Sequence, residues 1–237
     1  TDRGYSKFFD IYSINNSDDA LKDNCQATLN VGGQNLVQDS NLPYWTSSYQ
    51  YGRDHKFRIR ANYSDGQTGT LTLDGTNTPN NSQEQTAQVI VFYETPAHAA
   101  YLKNFRMPFG QGLKRRQYYH TVAQNTTGGS VSSSSFTAPR NNGSIGAIGV
   151  LTVVSLRDTV TYPNLGQSKT LVTITVDGIE IIQNVSATYY QAETGRDYYI
   201  QPISIAPGAT FEIKTQSQTN ISAAQQFQVY LTLFFDN

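Results

Sequence analysis

Short runs in which apolar and polar residues alternate fill most of the chain, with turn-forming clusters between them. Lys56-Phe57-Arg58-Ile59-Arg60-Ala61-Asn62-Tyr63 alternates with period two, the spacing of a strand with one buried face. Residues 8–14 form the first predicted strand, ended by Asn15-Asn16-Ser17-Asp18-Asp19. Residues 28–31 form the next and run into Gly32-Gly33. Residues 70–73 follow, before a polar loop over 74–81. Val89-Ile90-Val91-Phe92-Tyr93 is continuously apolar, which suits a central strand buried on both faces. Residues 1–7 are polar and without period, and are expected to form an arm.

The same pattern recurs in the second half. Ala27-Thr28-Leu29-Asn30-Val31-Gly32-Gly33 lines up with Val172-Thr173-Ile174-Thr175-Val176-Asp177-Gly178, a shift of 145. Gly52-Arg53-Asp54 returns as Gly195-Arg196-Asp197, a shift of 143, and residues 8–14 lie over 151–157 at that same shift. Thr70-Leu71-Thr72-Leu73 matches Thr210-Phe211-Glu212-Ile213, and Gln88-Val89 matches Gln228-Val229, both at a shift of 140. The order is preserved, so two β-domains of one design are predicted in tandem. Gly32-Gly33 and Asp177-Gly178, each between apolar runs, predict two-residue hairpin turns, because both central residues of such a turn need positive φ. The predicted fold class is all-β, with two tandem jelly-roll-type β-sandwich domains related by internal duplication. The first covers residues 1–95 with its arm, and the second covers 149–237. Residues 96–148 repeat nothing. They are predicted to be a connector, with a short helix from Pro96 to about 105 and a Gly/Ser-rich loop around Gly128-Gly129-Ser130.

Charged residues make up only 15% of the chain, against roughly a quarter in an average soluble protein. Disorder is excluded, because aromatics reach 12% and β-branched residues are plentiful. The net charge of −1 supplies no global basic field for sequence-independent nucleic-acid binding, and no specific nucleic-acid recognition is expected. Cys25 is the one cysteine, so an intrachain disulfide and a CxxC metal site are excluded; it reads as a small buried hydrophobe. No apolar run reaches the ~20 residues that span a bilayer as a helix. No signal-peptide pattern is visible, and Thr1 in place of a methionine leaves processing open.

His55, His98 and His120 have no histidine three or four positions on, so the helical zinc arrangements are absent, and all three read as surface or turn histidines. GxSxG, GxGxxG, the phosphate-binding loop and the EF-hand loop are also absent. Asp18, Asp19 and Asp23 are candidate ligands for an interfacial calcium ion, but a solvated turn is the preferred reading, because calcium needs six or more oxygens. No other cofactor and no small-molecule substrate are expected. The Gly-Arg-Asp copies read as structural turns. Tyr118-Tyr119, Tyr189-Tyr190 and Tyr198-Tyr199 fit sheet or interface packing better than sugar stacking. Lys103, Arg106, Lys114, Arg115 and Arg116 place five positive charges in the connector, with Phe105, Met107 and Phe109 between them. Such a stretch can meet anionic lipid, a nucleic-acid backbone or a neighbouring subunit, or can simply be solvated.

Two similar β-domains with a long connector, and the turns Val31-Gly32-Gly33 and Val176-Asp177-Gly178, resemble the double jelly-roll major capsid proteins of the adenovirus-hexon lineage and of tailless membrane-containing phages. The resemblance spans roughly the whole chain and rests on architecture. It implies a non-enzymatic building block of an icosahedral virion, with three copies forming a pseudo-hexagonal capsomer. The implied partners are neighbouring capsomers, an internal membrane and minor capsid proteins. Halves of about 90 residues are short for eight strands, and six or seven are counted in each, which leaves open that some strands come from the connector or that the domains are smaller sandwiches. A carbohydrate-binding or adhesin-like protein of two β-sandwich modules is the alternative, and a β-sandwich hydrolase with a scattered carboxylate pair is a third class.

Overall fold

The computed structural model describes residues 5–15, 25–41, 59–63, 67–75, 85–94, 114–123, 125–140, 147–155, 169–190, 203–222 and 225–235. The chain divides into two compact units, Thr1–Arg106 and Met107–Asn237.

In the first unit the strands are β1 (Tyr5–Asn15), β2 (Cys25–Val31), β3 (Gln34–Asn41), β4 (Ile59–Tyr63), β5 (Gly69–Gly75) and β6 (Gln85–Glu94). They form two three-stranded sheets, in the orders β4-β1-β6 and β3-β2-β5, antiparallel throughout. The sheets are held face to face by apolar side chains spaced two apart. On β2, Cys25, Ala27, Leu29 and Val31 all point inward, as the strict buried/half-buried alternation of that strand requires. Leu71 of β5 and Val89 of β6 pack against Leu29 and Val31, while Leu73 and Ala87 pack against Cys25 and Ala27.

In the second unit the strands are β7 (Lys114–Val122), β8 (Val131–Thr137), β9 (Ala147–Ser155), β10 (Thr170–Val176), β11 (Ile179–Ser186), β12 (Ile203–Ile205), β13 (Thr210–Ser217) and β14 (Phe227–Phe235). A 3-10 turn, Ala187–Tyr190, follows β11. These strands make two four-stranded sheets, β12-β9-β14-β7 and β11-β10-β13-β8. Tyr118 of β7 meets Phe211 of β13 edge-on, with ring centroids 5.0 Å apart, so the two sheets close on one core. Val172, Ile174, Phe211, Ile213, Phe227, Val229, Leu231 and Leu233 fill that core. Each such side chain contributes roughly 1.5–3 kcal/mol by leaving water. The whole is an all-β sandwich fold.

The strand orders of the two units correspond. With β7 and β8 set aside, β12-β9-β14 and β11-β10-β13 are the orders β4-β1-β6 and β3-β2-β5. Register fixes the correspondence more finely than sequence matching does. Leu29 pairs with Leu71, and Ile174 pairs with Ile213. Since Leu29 and Ile174 lie at the same place before their turns, Leu71 corresponds to Ile213, a shift of 142. The sequence match had placed Leu71 on Phe211; the structure corrects it by two residues.

The predicted connector is also corrected. Residues 96–148 contain β7, β8 and the start of β9, all paired into the second unit, and the division falls between Arg106 and Met107 rather than at 95 and 149. Lys114–Val122 becomes a strand because β14 offers it an edge over nine paired positions. Val131–Thr137, with the composition of a linker, becomes one because β13 does the same over seven. The predicted arm shortens likewise, since β1 begins at Tyr5 and pairs with β6. The predicted helix over 96–105 lies outside the described residues.

Candidate functional site

The two turns singled out in sequence close β2–β3 and β10–β11. Gly32 and Gly33 have φ of 58° and 85°, and Asp177 and Gly178 have 48° and 81°. Positive φ at both central residues is the turn whose twist matches that of the flanking strands. Asp177 accepts the strain that a side chain meets there and uses its carboxylate: Oδ1 accepts the backbone N–H of Thr210 at 2.9 Å. In the first unit Asn30 Oδ1 accepts the backbone N–H of Gly33 at 3.1 Å.

Of the five basic positions, Lys103 and Arg106 lie outside the described residues, as do Phe105 and Phe109. Lys114, Arg115 and Arg116 open β7, an outer strand of its sheet, where they pair with Phe235, Phe234 and Leu233. Arg116 is exposed, and its guanidinium sits 5.3 Å from the centroid of the Tyr118 ring. Positive charge on an outer strand discourages unwanted pairing with another sheet edge.

His120 is not the surface or turn histidine expected. It is 4% exposed and lies between the sheets. Its Nδ1 is 2.9 Å from Ser134 Oγ, and its Nε2 is 3.0 Å from Ser132 Oγ and 3.1 Å from Thr215 Oγ1. Ser132 and Thr215 are themselves 3.2 Å apart. Three hydroxyls, each able to donate or accept, satisfy a neutral imidazole in either tautomer. Burial holds the His120 pKa below its ordinary value. A serine within reach of a histidine is the minimal nucleophile–base pair. Here the imidazole and Thr215 are buried, while Ser132 on the outer strand β8 is exposed and Ser134 half-buried, and the three hydroxyls satisfy the polar atoms of the buried ring. Its signal in sequence was the alternation Tyr118-x-His120-x-Val122, which puts the histidine on the apolar face.

The opposite face of β7 and β14 carries Gln117, Tyr119, Thr121, Gln228, Tyr230 and Thr232. Tyr119 is 55% exposed and lies 5.9 Å from the Tyr230 ring. Gln117 donates to Thr232 at 3.3 Å, Gln228 donates to Thr121 at 2.9 Å, and the Tyr230 hydroxyl donates to Gln228. Tyr189 and Tyr190 are buried in the 3-10 turn, edge to face at 5.3 Å, so they offer no sugar-stacking surface. Cys25 is a free thiol buried on β2; burial, then Asp74, pushes its pKa up. His55, His98, Asp18, Asp19, Asp23, Tyr198, Tyr199 and both Gly-Arg-Asp copies lie outside the described residues. Among the described residues no cluster of three or more His, Cys, Asp or Glu stands ready for a metal ion.

No protein-family model and no curated protein matches the chain. Three solved virus structures resemble it weakly. Infectious bursal disease virus of the Gt strain is 12% identical with a TM-score of 0.22, over 98% of this chain and 58% of that one. The T=1 particles derived from that virus are 11% identical with a TM-score of 0.23, over 98% and 56%. The Gx strain is 12% identical with a TM-score of 0.22, over 99% and 57%. The chain thus spans a little over half the length of those chains, and at such TM-scores the likeness carries no argument.

Proposed function

We propose that the protein is a non-enzymatic shell subunit of a virus capsid, built from two jelly rolls that arose by duplication and assembling as a trimer into pseudo-hexagonal capsomers of an icosahedral virion. The strand order carries this reading. In the second unit eight strands divide between two sheets so that most sequence neighbours lie in opposite sheets, and six of those eight places recur in the first unit. Two sandwiches of one topology in a single chain give three subunits six similar walls, which suits a hexagonal lattice with threefold symmetry. The basic residues at the start of β7, Lys114, Arg115 and Arg116, are the contact for anionic lipid or a neighbouring capsomer. Native mass spectrometry of the purified chain, with electron microscopy of its source, tests the proposal: trimers and shells are expected, and a monomer at high micromolar concentration sinks it.

One observation favours a second reading, a tandem carbohydrate-binding or adhesin-like protein. Tyr119 and Tyr230, flanked by the Gln117 and Gln228 amides, have the apolar-ring and hydrogen-bonding character of a sugar platform. Monomers whose tyrosine fluorescence responds to an oligosaccharide, with the response lost in Tyr119→Ala, would favour it.

A further inference from the structure

The two units differ at two strand edges. In the second, β7 lies along β14 and β8 lies along β13. In the first, the corresponding edges of β6 and β5 have no strand beside them among the described residues. The cores differ at the same places. Val91 of β6 is 40% exposed, whereas Val229, Leu231 and Leu233 of β14 are each 0% exposed. Ala87 and Val89 are half-buried where Phe227 and Val229 are fully buried, and Leu71 is half-buried where Ile213 is fully buried. One strand further in, the difference vanishes: Leu29 is 1% exposed and Ile174 is 0%. The deficit therefore follows the edges rather than the composition of the unit.

We infer that the first unit is completed by two further antiparallel strands, one paired along β6 and one along β5, supplied by polypeptide that leads into β1. The second unit shows what such a pair does. Tyr118 and His120, opposite Leu231 and Val229, roof the β14 side of the core, and Phe136 stacks on Phe211 at 5.4 Å. It also shows how the pair is reached: β8 leads into β9, and β9 holds the place in its sheet that β1 holds in the first unit. A leading segment uses that same connection. The incoming strands carry large apolar residues at alternate inward positions and polar residues outward, and main-chain pairing supplies the adhesion, as in strand addition generally.

Hydrogen exchange read by mass spectrometry tests this without any assembled particle. In the 237-residue chain, β5 and β6 exchange faster than β13 and β14, by about tenfold or more. Placing a second copy of residues 107–146 ahead of Thr1 slows exchange in β5 and β6. Val91→Lys leaves the unfolding midpoint of the 237-residue chain unchanged, because the side chain reaches water, and removes the protection gained by the extended chain. Equal protection of β5–β6 and β13–β14 without the extension means the edges are already covered and overturns the inference. An extended chain that folds without slowing exchange at β5 and β6, or a V91K variant that keeps the gain, overturns it as well.

Discussion

The backbone N–H of Asn184 donates to the hydroxyl of Thr173 at 3.1 Å, across the β10–β11 ladder, while Thr173 donates back to the Asn184 side chain at 3.3 Å. Asn184 has φ of 51° and is the extra residue of a bulge: Val172 pairs with Val185 but Ile174 pairs with Ile182. The first unit holds the same device. Asp39, with φ of 47°, donates its backbone N–H to Thr28 at 3.1 Å, and Thr28 donates to the Asp39 carboxylate at 3.2 Å. Both pairs stand 145 residues apart, the shift of the turns beside them. Bulges bend and twist a strand at a fixed point, so this one sets how β3 and β11 curve over their cores.

Thr173→Val keeps the shape and removes the hydroxyl from a nearly buried site. The change should destabilise the protein by about 1–2 kcal/mol in urea unfolding. Asn184→Gly should be close to neutral, since glycine adopts positive φ freely, whereas Asn184→Val should cost about 1–2 kcal/mol. Equal stability of T173V and the parent would remove the clamp from the account.

Gly33 and Gly178 have open space where a Cβ would be built. Replacement by Val there is opposed by backbone conformation alone, and each variant should lose about 1 kcal/mol or more. Gly32 differs, because its Cβ would lie 2.6 Å from the Gln67 side chain, whose flexible end can move away. Thermal unfolding of G33V and G178V checks this; an unchanged midpoint in both would contradict the turn geometry.

His120 makes stability depend on pH with a definite sign. Its folded pKa is depressed below the ordinary value of 6.5, so the unfolded chain binds the proton more readily. The contribution is therefore complete above about pH 6.5 and is lost as pH falls through that value toward the folded pKa. The groups bonded to the ring are Ser132 and Ser134 of β8 and Thr215 of β13, and none of these three carries a charge that could hold the imidazolium. Urea midpoints measured from pH 8 to pH 5 should fall more steeply for the parent than for His120→Gln, and parallel curves would assign the acid sensitivity elsewhere.

Replacing Lys114, Arg115 and Arg116 together by Ser should leave oligomer mass unchanged. The same variant should weaken binding to vesicles containing anionic lipid, since each cation near such a surface contributes about 1 kcal/mol. The difference should shrink as salt is raised. Vesicle sedimentation at low and high salt reads it, and equal binding by both proteins would return these residues to guarding the β7 edge.

What the sequence determined by itself was local. Gly32-Gly33 and Asp177-Gly178 could be recognised as turns because positive φ restricts which residues can stand there. The strands β2, β6 and β10 were legible because their apolar residues bury against a core whatever lies beyond. Lys114–Val122 and Val131–Thr137 were harder to read, since the basic opening of the first and the serines of the second carry little strand signal, leaving only the short alternation Tyr118-x-His120-x-Val122. They are strands because β14 and β13 present unpaired edges, and because Ser132, Ser134 and Thr215 give His120 the partners that let a polar group be buried. The placement of Leu71 on Phe211 rather than on Ile213 failed for a related reason. A slide of two residues keeps every side chain on its own face of the sheet, so hydrophobic patterning tolerates either register, and only the hydrogen-bonded pairing of β5 with β2 and of β13 with β10 decides between them.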